Sequence, residues 1–147
     1  MDISPKSDMI YCQHMCASDS SSACSRKIHP RAHDGILLFN RGEFFEAHEA
    51  LEDAWRYEQT EIRDLYKGIL QIAVTYLHIQ RGNYNGAIKV FHRSQKWLGK
   101  WPDVCQGVDV QHMQSDARLV MDEVQRLGKA GLAEFDVSLF KPIKYKP

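Results

Sequence analysis

An imidazole and a carboxylate lie four residues apart in segment 43–57, at His48 and Glu52. On a helix, residues at this spacing share one side of the axis, so the two side chains point the same way. With about 100° per residue, both fall within the arc that carries the apolar residues of this segment, beside Trp55. A carboxylate that faces a core is costly unless it is paired, hydrogen-bonded or bound to a metal. The pattern therefore predicts a buried polar pocket centred on His48 and Glu52.

A second set of polar residues lies on the most apolar part of the chain, about residues 61–81. Spacings of four and three residues keep them on one helix face: Asp64, Gly68, Gln71, Thr75, His78 and Gly82. If this face meets the helix that carries His48, it encloses the pocket, since helical bundles build metal and ligand sites between facing helices. The predicted ligand-binding residues around the pocket are Trp55, Gln71 and His78.

Two interpretations of this pocket stay open. In the first, His48 and Glu52 bind a divalent metal such as zinc, iron or manganese, because imidazole and carboxylate ligands suit these ions. A third ligand would then come from Gln71, His78 or water, and hydrolytic or redox chemistry would be within reach, although no pattern specifies a reaction. In the second, His48 and Glu52 are a hydrogen-bonded pair that fixes helix packing, and the protein is a helical protein–protein interaction module.

The elements that position these residues are predicted to be helices. No alternation of apolar and polar residues predicts a strand, and proline, which disrupts helices, is absent between Pro30 and Pro102. Helical periodicity predicts helices over about residues 33–41, 43–57, 61–81, 84–98 and 109–127. The third is apolar on almost all sides, so we expect it to be central. We predict an all-α fold, a compact bundle of about five helices made of two antiparallel hairpins and a closing helix.

A short pattern occurs twice at the predicted turns. Arg41-Gly42-x-Phe44-x-x-Ala47 recurs as Arg81-Gly82-x-Tyr84-x-x-Ala87. In both copies a glycine ends one helix, an aromatic residue opens the next, and an alanine permits close helix contact. The pattern resembles the turn of tetratricopeptide repeats. Any glycine-turned helical hairpin would look similar, so common ancestry of the two copies stays open.

Several of these motifs together resemble a known family. His48-x3-Glu52-x2-Trp55 is followed by Arg63, Gly68 and Gln71, and then by Arg81-Gly82-Asn83-Tyr84-x-Gly86-Ala87. In order and spacing they resemble the bacterial and archaeal domain-of-unknown-function 309 family over about residues 36–100. The resemblance implies an all-helical fold and no established activity. It would also place the metal site suggested for the family on His48 and Glu52.

Composition limits the classes of partner. The 147 residues suffice for one domain, and 19 basic residues balance 19 acidic ones. A zero net charge argues against general binding to nucleic acid or anionic membranes, which needs a basic excess. No apolar stretch is long enough to span a membrane, and the first thirty residues lack a secretory apolar core. We expect a cytoplasmic protein, whose partner is another protein or a second copy of the chain.

The predicted domain limits are a flexible N-terminal tail at 1–30, a helical domain at 31–128 and an extended C-terminal arm at 129–147. Three of the four cysteines lie in the tail, and the fourth is Cys105. The candidate zinc ligands in and just after the tail are Cys12, His14, Cys16, Cys24, His29 and His33. Their irregular spacing does not match a structural zinc site. We therefore expect a tail with reduced thiols, of unassigned role.

Overall fold

Helices dominate the computed structural model, which describes residues 22–147. After helical residues 22–25 come α1 (Pro30–Asn40), α2 (Phe44–Tyr57), α3 (Arg63–Gln80), α4 (Tyr84–Leu98) and α5 (Val110–Gly131). A small antiparallel hairpin of β1 (Val104–Cys105) and β2 (Val108–Asp109) connects α4 to α5, and two 3-10 helices follow at Leu132–Glu134 and Val137–Leu139. The predicted helical bundle is confirmed, and the two short strands are a small addition to the all-α fold that the sequence predicted. In the described region, no helix has the length and apolar character needed to cross a membrane.

The two helical hairpins, α1–α2 and α3–α4, contain the same kind of turn. Gly42 and Gly82 have φ values of +79° and +71°, in the left-handed region that favours glycine. In each turn the amide after the glycine donates to a carbonyl five residues earlier, which is the Schellman pattern of helix ends. The donor–acceptor pairs are Glu43–Leu38 at 3.0 Å and Asn83–His78 at 2.8 Å. The repeated sequence pattern therefore corresponds to a repeated backbone geometry.

Helix α3 is the centre of the molecule. Its buried residues include Leu65, Tyr66, Ile69, Leu70, Ile72, Ala73, Tyr76 and Ile79. Gly68 permits close contact with α4, because a Cβ at this position would overlap the Leu98 side chain. Gly35 has the same role between α1 and α2, where a Cβ would lie 2.6 Å from Leu51 Cγ. Small residues at these crossings bring the helices of both hairpins into direct contact.

Helix α5 and the C-terminal residues close the bundle. The buried stripe of α5 consists of Val110, Met113, Ala117, Val120, Met121 and Val124. Gly128, the predicted end of this helix, has φ +69° and interrupts it before a last turn to Gly131. The chain then folds back over the core, where the Phe140 ring stacks on Tyr76 with centroids 4.6 Å apart. Lys144 pairs with β2 by accepting the Asp109 amide at 2.9 Å. The predicted arm is thus a cover for the core, and its extended part comes after Phe140.

The first described residues, 22–30, also lie against the core. Ala23 and Ile28 are buried, and Cys24 forms a disulfide with Cys105. The helical domain was expected to begin at residue 31, but residues before this limit also pack on the core. Cys24 was expected to be a reduced thiol, and this expectation was wrong because Cys24 forms the disulfide. The two cysteines are 81 residues apart in the sequence, so no local pattern predicts the pairing, and only the fold brings them together. Residues 1–21, with the expected tail and the zinc candidates Cys12 and Cys16, lie outside the described residues.

Candidate functional site

The acid and the imidazole of the predicted site lie side by side on α2. His48 Nε2 is 3.3 Å from Glu52 Oε2, and Arg56 donates to the other carboxylate oxygen at 2.9 Å. The side chains of His48 and Glu52 are 28% and 37% exposed. The structure therefore brings the pair together on a half-exposed surface and does not enclose it in the expected buried pocket.

The position of the apolar arc on α2 explains this correction. The buried residues of α2 are Phe44, Ala47, Ala50, Leu51 and Ala54. On a helical projection the centre of this set lies roughly 100° from His48 and roughly 140° from Glu52. The prediction gave most weight to Phe44, Leu51 and Trp55. The alanines, which allow the closest helix contact, turn the buried face away from the pair.

The pair lies within a seam between α2 and α3 that has a cation over an aromatic ring at each end. At one end, Arg63 Cζ and Lys67 Nζ lie 4.6 Å and 4.5 Å from the centroid of the Trp55 ring. At the other end, Arg81 Cζ lies 5.8 Å from the centroid of Phe45. Because α2 and α3 run antiparallel, His48 and Glu52 lie between these two contacts. We call this surface the α2–α3 seam; it comprises Phe45, His48, Glu52, Trp55, Arg63, Lys67 and Arg81.

The polar stripe predicted on α3 faces a different helix from the one expected. Gly68 lies against Leu98 of α4, and Asp64 forms an ion pair with Lys100 just after α4. Thr75 donates its hydroxyl to a backbone carbonyl of its own helix at 2.7 Å. Asp64 and Gly68 of the stripe therefore face α4 and the residues just after it, and they do not close a pocket over α2.

His78 lies in the last turn of α3, beside the start of α4. Its Nδ1 lies 3.2 Å from Asn83 Nδ2, and Asn83 Oδ1 accepts the amide of Gly86 at 2.9 Å at the start of α4. Desolvation and the nearby Arg81 charge lower the pKa of His78. A neutral ring can accept a hydrogen bond from the Asn83 amide. The structure thus bonds His78 to a helix cap and not to His48 or Glu52.

Three polar atoms on these helices are buried without a hydrogen-bond partner among the described residues. They are His48 Nδ1, Arg63 Nε and Gln71 Oε1. The Glu52 carboxylate beside Nε2 of His48 favours a proton on that nitrogen, which leaves Nδ1 as an acceptor. The seam and its edge therefore combine aromatic surface, fixed cations and unused hydrogen-bonding capacity.

The donor set does not fit a metal bound by both His48 and Glu52. The two side chains are paired with each other, and Glu52 also binds Arg56. Across residues 22–147, no three His, Cys, Asp or Glu side chains form a metal-ligating group. The arrangement fits a carboxylate that orients an imidazole, with Nδ1 free to accept one bond.

One further pair was missed by the sequence analysis. His112 Nδ1 and Asp116 Oδ2 lie 3.1 Å apart on α5, and the Asp116 side chain is 15% exposed. The spacing of four residues is the same as that of His48 and Glu52, so the signal was present. The pair lies outside the motifs of α2 and α3 from which the candidate site was predicted.

Comparisons with known proteins extend this picture. Residues 32–90 match a family described as Domain of unknown function (DUF309), which confirms the resemblance. The match contains all the predicted site residues. The chain is also similar to an "Uncharacterized protein" of Aquifex aeolicus (strain VF5), with 26% identity over 87 residues. The aligned region covers 58% of this chain and 25% of that relative, so the chain spans about a quarter of the relative's length.

Proposed function

We propose that this chain, whose residues 32–90 match the DUF309 family, is a helical binding module that holds an acidic segment of a protein partner on the α2–α3 seam. One observation carries the proposal. Arg63, Lys67 and Arg81 each lie over an aromatic ring, and none of them forms an ion pair with another described residue. Such cations are held in place and remain free to meet carboxylates.

The aromatic residues of the seam support the same role. The Phe45 side chain is 42% exposed, and Trp55 is half-buried. Tryptophan and arginine are enriched among the residues that dominate protein–protein binding energy. A partner that covers these rings would gain apolar burial, and its carboxylates would pair with Arg63 and Lys67.

The family match supports a modular role. The similar region makes up a quarter of the Aquifex aeolicus relative, so such a segment also occurs within a longer chain. In this proposal His48 and Glu52 maintain the shape of the seam. We expect His48→Gln to lower stability while partner binding persists.

Site-specific photo-crosslinking in cells tests the proposal. A photoreactive phenylalanine analogue at Phe45 is expected to form an adduct with a discrete protein, and Lys67→Glu should abolish that adduct. Tyr57 is the matched control, because it is an exposed aromatic residue on α2 outside the seam. Equal adducts from both positions, or an adduct that persists in Lys67→Glu, would contradict the proposal. Sedimentation velocity of the purified chain shows whether the partner is a second copy.

A metal at His48 is the second candidate function. The observation that favours it is the unpartnered Nδ1 of a ring whose Nε2 lies beside Glu52. Glu52 would orient the ring, and Gln71 or water would complete the donors of zinc, iron or manganese. Elemental analysis of freshly purified wild type and His48→Ala tests it. A metal-free wild type whose melting temperature is unchanged by EDTA removes this candidate.

A cytoplasmic location stays part of the proposal. The Cys24–Cys105 disulfide is more typical of oxidising compartments, so the two properties need a joint test. Thiols can be trapped with an alkylating reagent in fractionated cells, and the peptides that contain Cys24 and Cys105 can then be mapped. Recovery of the chain outside the cytoplasmic fraction would contradict the location.

A further inference from the structure

A cavity of about 720 Å³ opens where three distant parts of the chain meet. Its lining comes from residues 24–28, from the turn at 106–107 and from residues 146–147. Helix α1 contributes His33 and Asp34. This volume lies within the range of about 300–1,000 Å³ that is usual for small-molecule sites. None of these residues belongs to the α2–α3 seam.

The walls of this cavity are held in place by a buried polar network around Gln106. Its side-chain Nε2 donates to the Ala23 carbonyl at 3.1 Å, and its backbone N–H donates to the Cys24 carbonyl at 2.7 Å. Its Oε1 accepts the Tyr66 hydroxyl at 2.7 Å. The Cys24–Cys105 disulfide adds a covalent connection between the same two segments. A cavity built in this way needs little ordering when a ligand binds.

The charges around the cavity favour an anion. Arg26, Lys27 and Lys146 line it, and none of them forms an ion pair with another residue of the described region. The acid among the described lining residues is Asp34, which is already paired with Arg31 at 3.2 Å. The cavity thus has a local excess of positive charge although the whole chain has none.

The apolar part of the lining sets the class of anion. Ile28, Pro30 and the Cys24 side of the disulfide lie beside the three cations. We propose that this cavity binds an organic anion, with a carboxylate or phosphate held by Lys27 and Lys146 and an apolar group against Ile28 and Pro30. The site and its ligand class are independent of the seam.

Isothermal titration of the oxidised 147-residue chain tests the proposal. The probes are benzoate and phenyl phosphate, which separate carboxylate from phosphate as the preferred group, and inorganic phosphate, which lacks the apolar part. We expect at least one organic probe to bind and inorganic phosphate to bind more weakly. The Lys27→Gln/Lys146→Gln variant is expected to weaken the organic probe about tenfold or more. Raising the salt to about 300 mM should weaken it in the wild type as well.

Matched controls separate this site from general charge effects. Lys89→Gln removes an exposed lysine on α4, away from the cavity, and should leave the affinity unchanged. If the double variant melts at a lower temperature than the wild type, Arg26→Gln replaces it. Lys67→Glu should also leave probe binding unchanged, so failure of the seam proposal would not affect this test. No heat with either organic probe, tighter binding of inorganic phosphate, or an equal loss in Lys89→Gln would overturn the assignment.

Discussion

At the residue scale, the His48–Glu52 pair shows how exposure limits the value of a polar contact. Glu52 lies between His48 and Arg56, and more than a third of its side chain is exposed. Water and salt screen ion pairs of this kind, which usually contribute about 1 kcal/mol or less. The pair therefore orients side chains on the seam more than it stabilises the fold.

We expect Glu52→Gln to change the free energy of unfolding by less than about 1 kcal/mol, because the screened contacts of the carboxylate are weak. Urea denaturation measures the difference. Glu46→Gln is the control, since Glu46 is exposed on α2 and forms no ion pair with the described residues. If Glu52→Gln alone lowered the free energy of unfolding by more than about 2 kcal/mol, the carboxylate would be enclosed, and the prediction of a buried pocket would be supported.

Tyr66 is a buried titratable residue that links the stability of the fold to alkaline pH. Burial raises the pKa of Tyr66 to about 12, from an ordinary value of 10.0. The unfolded chain then releases this proton at lower pH than the folded chain. The stabilisation is complete below pH 10 and is lost as the pH rises towards 12, by about 2–3 kcal/mol.

We expect Tyr66→Phe to reduce this alkaline loss of stability, whereas the part that comes from Tyr76, whose pKa burial also raises, should remain. At neutral pH the variant should be less stable by about 1–3 kcal/mol, because Gln106 Oε1 loses its buried donor. Denaturation between pH 7 and 12 tests both effects. Tyr57→Phe, at an exposed position, should follow the wild type. Identical alkaline slopes in the wild type and Tyr66→Phe would show that Tyr66 titrates normally.

At the element scale, helix contacts depend on small residues at a few crossings. The contact of α3 with α4 passes through Gly68 and Leu98, and the contact of α1 with α2 passes through Gly35 and Leu51. These glycines remove the Cβ that would hold the helices apart. Gly68 of the predicted polar stripe therefore packs on the Leu98 side chain of α4.

We expect Gly68→Ala to lower the free energy of unfolding by about 1–3 kcal/mol, because its Cβ would overlap Leu98 and the helices would have to separate. Gly131→Ala is the matched control near the end of α5. A Cβ there meets Leu127 at an ordinary 3.5 Å. Thermal melts of both variants make the comparison. A Gly68→Ala variant as stable as the wild type would mean that α3 and α4 can shift at no cost.

At the scale of the whole molecule, both ends of the described chain fold onto the α1–α5 bundle. Residues 22–30 are joined to the β1–β2 turn by the disulfide and by Gln106, and the last residues pair with β2. The DUF309 match at residues 32–90 ends within α4, so the closing helix and both terminal segments lie outside it. The cavity proposed to bind an anion is lined mainly by the terminal segments and the β1–β2 turn, with His33 and Asp34 from α1, whereas the seam lies inside the matched region.

The disulfide should contribute strongly to global stability, because it closes a loop of 81 residues. We expect the Cys24→Ser/Cys105→Ser variant to be less stable by about 2–5 kcal/mol. Melting with and without a thiol reductant measures the effect. The reductant should lower the melting temperature of the wild type and leave that of the variant unchanged. The disulfide would be contradicted if the reductant left the melting temperature of the wild type unchanged and the disulfide-linked peptide were absent from its proteolytic map.

The limits of sequence reasoning are visible in particular residues. Helical periodicity and the two glycine turns were sufficient for the five helices, because both depend on residues close in sequence. The same method placed His48 and Glu52 on one face correctly and their burial wrongly. Burial depends on which arc of α2 contacts its neighbours, and Ala47, Ala50 and Ala54 decide that through close packing rather than through hydrophobicity.

The sequence by itself determined the helical class, the order of the helices, the Gly42 and Gly82 turns and the adjacency of His48 to Glu52. Only the tertiary structure decided that Gly68 of the stripe on α3 packs on α4, that Cys24 meets Cys105, and that three cations line a cavity. Local patterns report interactions over a few residues, whose geometry the helix itself defines. Contacts between segments that lie tens of residues apart in the sequence depend on how whole helices pack, and no local spacing records that.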